Sequence, residues 1–85
     1  MWDQARFTLQ VRAFRVERDA ERFLNELDRI WPNLSTRIMT GSSRGKPIYR
    51  VMLGAFKTRK KAKRARREFT QKYGAQHKPF IKALR

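Results

Sequence analysis

An α+β domain with the element order βαββαβ is the fold that this 85-residue sequence predicts. The first observation is an internal repeat, because residues 7–20 align with residues 49–62 at a constant offset of 42 positions. The second is that apolar residues in each copy change from a period of two to a helical period. Since one such unit cannot bury its apolar face alone, we expect the two copies to form one sheet with a shared core.

The first copy predicts a strand, a helix and a second strand. Apolar residues alternate with more polar ones over residues 7–14, which indicates a strand with one apolar face. Apolar residues at helical spacing then indicate a helix from about residue 17 to residue 31, and Pro32 ends that run. A short second strand is predicted over residues 37–40, with Ile38 facing the core.

The second copy begins after a cluster of turn-forming residues at positions 41–47. Alternating apolar residues predict a third strand over residues 49–53. Thr58 is a suitable N-cap for a second helix, which is expected to run to about Tyr73. Gly74 follows at the position where helices commonly end with a glycine.

A last strand over residues 78–84 completes the second copy, with Phe80 and Leu84 predicted to face the core. The offset of 42 positions aligns Phe80 with the inward-facing Ile38. The resulting βαββαβ order is that of ferredoxin-like and RNP folds, which place both helices on one face of a four-stranded antiparallel sheet. We therefore expect a single domain over residues 7–84, preceded by an extension of residues 1–6.

The opposite face of the predicted sheet is expected to have no cover within this chain, so it is the expected ligand-binding surface. Alternation places a mixture of amide, guanidinium and apolar side chains there. These residues are Thr8, Gln10, Arg12, Phe14, Arg37, Met39, Ile48, Arg50, Met52 and Ile81.

The composition predicts an anionic partner, because 22 Lys and Arg residues against 7 Asp and Glu residues give a formal charge of +15. The second helix carries most of the excess, and its predicted polyanion-binding residues are Arg59, Lys60, Lys63, Arg64 and Arg67. A solvated surface that only keeps the domain soluble is about equally well supported. The sequence has no Cys and one His, His77, so zinc coordination by Cys and His is excluded. No pattern in the sequence indicates a catalytic site or a bound cofactor.

Four segments, FTLQVRAF, DAERFLNEL, IYRVMLGAF and KKAKRARREF, follow one another along the chain. Ten positions in them form an ordered pattern: Gln10, Phe14, Ala20, Leu27, Tyr49, Arg50, Val51, Gly54, Phe56 and Ala62. This pattern resembles the SPOR domain, a bacterial family also called the sporulation-related repeat, and the resemblance covers residues 7–84. The chain departs from the pattern at Arg12 and Ala13, where the family usually has Gly and Ser.

The resemblance implies a non-catalytic module that binds peptidoglycan at the division septum through the open face of the sheet. It further implies a preference for denuded glycan strands, from which amidases have removed the stem peptides. Denuding leaves free lactyl carboxylates, and an arginine fork binds a carboxylate through two charge-assisted hydrogen bonds. Arg12, Arg37 and Arg50 are the predicted forks, and Gln10 can donate to and accept from sugar groups. A monomeric domain of a larger exported or membrane-anchored envelope protein is the expected context.

The competing prediction is a nucleic-acid or general polyanion binder that uses the second helix. RNA-recognition modules share this element order, but they stack bases on exposed aromatic residues of the two central strands. In this sequence alternation turns Tyr49 inward and leaves Phe14 only at a strand end. Other anionic envelope polymers are further possible partners. A membrane-surface helix is less well supported, because the apolar residues of the second helix are expected to pack in the core. Too little apolar area then remains for insertion into a membrane.

Overall fold

The computed structural model describes residues 2–74, 77 and 79–84 and confirms the predicted α+β fold. Four strands form one antiparallel sheet in the order β2-β3-β1-β4, and a short 3-10 turn, Trp2–Gln4, precedes them. The elements are β1 Phe7–Phe14, α1 Glu17–Ile30, β2 Thr36–Ser43, β3 Lys46–Phe56, α2 Arg59–Tyr73 and β4 Phe80–Ala83.

The two helices pack on the same face of the sheet, and the buried residues follow the repeat. Ala20 of α1 and Ala62 of α2, which are 42 positions apart, are both fully buried. Leu27 of α1 and Phe69 of α2 form a second pair at the same offset, and both are also fully buried. The small alanines let each helix backbone lie close to the sheet. Helix ends also follow the sequence, since the Thr58 side chain accepts a hydrogen bond from the backbone N–H of Lys61 at 3.2 Å.

Aromatic side chains connect the two helices. Trp31, which follows α1, stacks on Phe69 of α2 with the ring centroids 5.8 Å apart, and Phe69 stacks on Tyr73 at 4.7 Å. The Tyr73 hydroxyl donates a hydrogen bond of 2.9 Å to a carboxylate oxygen of Glu26 on α1. Burial, the hydrogen bond to Glu26 and the charge of Glu26 together raise the pKa of Tyr73 to about 12.

The predicted turn over residues 41–47 was wrong in extent, because β2 and β3 continue into a tight hairpin. Only Arg44 and Gly45 lie outside the strands, and both have a positive φ, 55° and 75°. Two-residue hairpin turns of this kind match the right-handed twist of the strands that they join. Arg15 holds this end of the sheet, since its Nη1 donates to the carbonyl oxygens of Ser43, at 3.1 Å, and Lys46, at 3.4 Å.

Two β-bulges interrupt the pairing of β1 with β3. Gln10 pairs with Met52 but Arg12 pairs with Val51, so Val11 is an extra residue in β1. In β3 the extra residue lies at Gly54, whose φ of 84° is in the left-handed region that favours glycine. A bulge reverses the alternation of faces beyond it, and this reversal redistributes the side chains of β1.

The final strand is shifted by one residue relative to the prediction. Ile81 pairs with the core residue Leu9 and packs against the core, whereas Phe80 pairs with Gln10 and is 50% exposed. The predictions that Phe80 faces the core and that Ile81 faces outward were therefore wrong. Lys78, the predicted start of this strand, lies outside the described residues.

Candidate binding face of the sheet

The sheet surface that points away from the two helices, called the open face below, is built on one row of side chains across all four strands. The register pairs Arg37 of β2 with Met52 of β3, Met52 with Gln10 of β1, and Gln10 with Phe80 of β4. Paired residues of antiparallel strands point to the same face, so these side chains lie side by side. The adjacent rows contain Met39, Arg50 and Ala13, and then Gly41 and Ile48.

The N-terminal turn covers part of the open face. The guanidinium carbon of Arg37 lies 5.7 Å from the Trp2 ring centroid, within the range of a cation–π contact. Thr8 and Met52, both predicted ligand contacts on this face, have no exposed surface. The Thr8 hydroxyl instead donates a hydrogen bond of 2.6 Å to the carbonyl oxygen of Gly54. The prediction that nothing in the chain covers this face was therefore wrong, and Thr8 and Met52 form its floor.

Arg50 reaches from β3 across to the neighbouring strand β2. A Cβ atom added to Gly41 would lie only 2.5 Å from Nη1 of Arg50 and 3.7 Å from Cγ2 of Ile48. The missing side chain of Gly41 thus provides the space in which the guanidinium of Arg50 lies. Arg50 is half-buried and Arg37 is exposed, and both lie on the open face as predicted.

The structure places two predicted site residues, Arg12 and Phe14, on the opposite side of the sheet. The Arg12 guanidinium carbon lies 5.0 Å from the Phe14 ring centroid and 5.4 Å from that of Phe23 on α1. The prediction that Arg12 and Phe14 belong to the open face was wrong because the bulge at Val11 reverses the alternation. Ala13 takes the outward position instead.

Sequence reasoning missed two aromatic residues of this region, Trp2 and Phe80. Trp2 precedes the first strand, so no alternation pattern could assign it to a face. Phe80 was assigned to the core because the offset of the repeat was carried into the last strand without a shift. The open face as described contains Thr8, Gln10, Ala13, Arg37, Met39, Gly41, Ile48, Arg50, Met52, Phe80 and Lys82, which pairs with Thr8.

The predicted polyanion-binding residues lie on α2, in the helical layer. Lys60, Lys63, Arg64 and Arg67 are exposed to solvent. Arg59 is exposed too, but its guanidinium carbon lies 5.0 Å from the Phe7 ring centroid, so it packs on an aromatic ring at the start of β1. Four of the five predicted bases therefore have their charge directed outward on α2.

Within the part of the chain that the structure describes, the helix side of the domain has at least two grooves. One, of about 520 Å³, lies between the end of β1 and α1 and is lined by Arg12, Phe23 and Glu26 among others. The second, of about 380 Å³, lies between Trp31 and α2. Neither groove includes a residue of the open face. A shallow exposed face suits an extended polymer better than a small molecule, which proteins usually enclose in a concave pocket.

Within residues 2–74, 77 and 79–84, no three His, Cys, Asp or Glu side chains lie close enough together to hold a metal ion. In the same part of the chain, neither helix has the length and apolar character needed to cross a bilayer.

Comparison with known families identifies one matching family model. The SPOR domain family model matches residues 3–81. Curated proteins and solved structures give no significant match. SPOR domains are binding modules for septal peptidoglycan, and the family indicates a location in the bacterial cell envelope. Because the match covers nearly the whole chain, this protein belongs to the SPOR domain family.

Proposed function

We propose that this domain binds denuded glycan strands of septal peptidoglycan through the open face. The observation that carries the proposal is that two arginines, Arg37 and Arg50, share one face of the sheet with Gln10. Arg37 and Gln10 lie in one row, on either side of Met52, and Arg50 lies in the adjacent row. The family supplies peptidoglycan as the ligand in general. The side chains of this chain support the preference for strands without stem peptides.

The preference rests on the chemistry that amidases leave behind. Removal of a stem peptide converts the lactyl amide of N-acetylmuramic acid into a carboxylate, which adds a negative charge to the strand. Arginine presents a planar fork of N–H donors that matches the two oxygens of a carboxylate. Arg50, with room to lie over Gly41, and Arg37, held against Trp2, are two such forks on one face.

Neutral parts of the sugar need different partners. The Gln10 amide both donates and accepts hydrogen bonds, so it suits acetamido and hydroxyl groups. Met39 and Ile48 are half-buried and Phe80 is half-exposed, which leaves apolar surface for the C–H faces of the sugar rings. Arranged along the sheet, these groups form a shallow surface that an extended strand can cross.

Binding of nucleic-acid bases by the same face is less well supported. Such binding relies on exposed aromatic residues of the two central strands. The central strands β1 and β3 present Gln10, Ala13, Ile48 and Arg50 on the open face, and none of these is aromatic. Phe80 is aromatic and exposed, but it lies on the edge strand β4.

Co-sedimentation with purified sacculi tests the proposal. The domain is mixed with intact or amidase-treated sacculi at about 0.1 M and about 1 M salt, where the screening length falls from about 10 Å to about 3 Å. We expect more binding to the treated sacculi, with part of it surviving high salt. The double substitution Gln10→Ala and Arg50→Ala should weaken that binding at least roughly tenfold, since charge-assisted hydrogen bonds are lost.

Arg18→Ala is the matched control, because it removes one exposed arginine from α1 and leaves the open face and α2 unchanged. If the Gln10 and Arg50 variant sediments with treated sacculi as well as the Arg18 control does, the open face is not the glycan site. Equal binding to intact and treated sacculi would instead reject the preference for denuded strands.

A further inference from the structure

We infer that the domain has a second anion-binding site, a stripe of Lys60, Arg64 and Arg67 along the outer face of α2, which takes a second denuded glycan strand. The identity of that ligand rests on the proposed function, whereas the existence of the stripe does not. With the open face on the other side of the domain, the stripe makes the molecule a cross-link between two strands.

The stripe follows from the periodicity of α2. Ala62, Ala65 and Phe69 are buried against the sheet, so residues about half a turn away point outward. Lys60, Arg64 and Arg67 have the spacing i, i+4, i+7 that places side chains on one helix face, and all three are exposed. The stripe is about 10 Å long, because each helical residue advances about 1.5 Å along the axis.

The charge of the neighbouring helix restricts the shape of the ligand. Residues 59–73 contain eight bases and the single acid Glu68, whereas residues 17–30 contain five acids and three bases. The two helices lie side by side in one layer, joined by the contact of Tyr73 with Glu26. A flat anionic surface such as a membrane would meet the net negative α1 together with α2. A linear polyanion can lie along α2 alone, so the charge pattern favours a chain over a surface.

The chemistry of the proposed ligand fits a linear site of this kind. A denuded glycan strand is a linear chain with one carboxylate for each disaccharide, and the family binds septal peptidoglycan in general. Individual exposed ion pairs contribute little, so the stripe is expected to bind weakly and in a salt-sensitive manner. When the open face holds one glycan strand and the stripe holds another, the domain brings the two strands together. After one such link has formed, further domains bind the same two strands more readily, because the local concentration of the second strand is high.

The test uses soluble glycan fragments of one narrow length, released from amidase-treated sacculi. The stripe variant carries Lys60→Gln, Arg64→Gln and Arg67→Gln. Its matched control carries Arg6→Gln, Arg18→Gln and Arg44→Gln, three exposed bases outside both sites. Both variants lose three of the +15 charges and keep +12. Circular dichroism and thermal unfolding confirm first that each variant is folded.

Isothermal titration at about 0.1 M salt should give two fragments bound per domain for the parent and the control, and one for the stripe variant. At about 1 M salt all three proteins should bind one fragment, since screening removes the stripe contacts. Light scattering should show bundling of fragments by the parent and the control at low salt, and roughly tenfold less by the stripe variant. Bundling by the stripe variant equal to that of its control would overturn the inference.

The variant with Gln10→Ala and Arg50→Ala separates the two proposals. If the open face binds glycan, this variant loses the fragment that resists salt and keeps the salt-sensitive one. Should it keep the salt-resistant fragment, the proposed function fails while the stripe result can still be read from the titration at low salt. A single-stranded DNA of similar length serves as a final competitor. If it displaces the salt-sensitive fragment as readily as unlabelled glycan does, the stripe reads charge alone and the assigned ligand is wrong.

Discussion

Helices α1 and α2 occupy equivalent positions in the two copies of the repeat, and comparing them separates what the fold needs from what varies. Ala20 and Leu27 on α1 are buried in the same way as Ala62 and Phe69 on α2. Outside the core the likeness ends, because α1 has more acids than bases and α2 has eight bases and one acid. The two copies are thus alike at the buried positions of the helices and differ at the solvent-exposed ones.

The paired strands β1 and β3 also differ at equivalent positions of the repeat. Gly54 of β3 and Arg12 of β1 lie at equivalent positions of the repeat, and both are beside a bulge. Gly54 has a positive φ and Arg12 does not, so the two bulges differ in backbone conformation. The backbone at Arg12 accommodates a side chain, whereas the positive φ at Gly54 favours glycine.

Substitutions at these two bulges should give the largest difference between the copies. Gly54→Val forces a branched residue into a positive φ and places its Cβ against the Phe56 ring, so we expect a loss of about 4 kcal/mol in the free energy of unfolding. Arg12→Val at the equivalent position loses only its contacts with the Phe14 and Phe23 rings, at a cost of about 1 kcal/mol. Urea unfolding followed by circular dichroism measures both. Equal losses would mean that the two bulges tolerate side chains alike.

A smaller difference between the two copies is expected in the core. Leu27→Ala should lower the free energy of unfolding by about 3 kcal/mol and Phe69→Ala by about 4 kcal/mol, because each leaves a cavity at a fully buried site. The excess for Phe69 reflects its larger ring and its stacking on Trp31 and Tyr73. Thermal unfolding of the two variants checks this. A near-silent substitution in either helix would show that only one copy supports the core.

The smallest expected effect concerns Tyr73, which occupies the position equivalent to Trp31 in the repeat. Tyr73 has an ionisable hydroxyl, whereas Trp31 does not. The folded protein raises the pKa of Tyr73 to about 12, so it favours the neutral phenol. Stabilisation from that preference is fully present below about pH 10 and is lost as the pH rises through about 12. Between these values the parent should lose stability more steeply than Tyr73→Phe, as measured by urea unfolding. Parallel pH profiles for the two proteins would show that the contact with Glu26 does not couple to folding.

Much of this architecture could be predicted from the sequence because it depends on local rules. Helical spacing gave the buried positions of α1 and α2, and Thr58 and Gly74 marked the ends of the second helix. Burial and capping of this kind require no knowledge of which strand pairs with which.

The open face was predicted less well because its composition depends on strand register. The bulge at Val11 involves no glycine or proline in β1, so nothing in that strand signals the change of faces that moves Arg12 and Phe14. The shift in β4 depends on the path of the chain after α2, and the cover by Trp2 depends on a contact with the distant Arg37. Gln10, Arg37 and Arg50 were placed correctly because they precede the bulge in β1 or lie in strands whose alternation holds there.

Strands β1 and β4 are neighbours in the sheet, and this pairing determines how the domain responds to force. The backbone N–H of Leu84 donates to the carbonyl oxygen of Arg6 at 2.8 Å, so the two ends of the fold leave it at the same corner. Tension applied through both ends therefore pulls on the antiparallel pair from its open end and breaks its hydrogen bonds one after another. Strand β4 has only four residues and lies at the sheet edge, so it is the element that yields first under such a load.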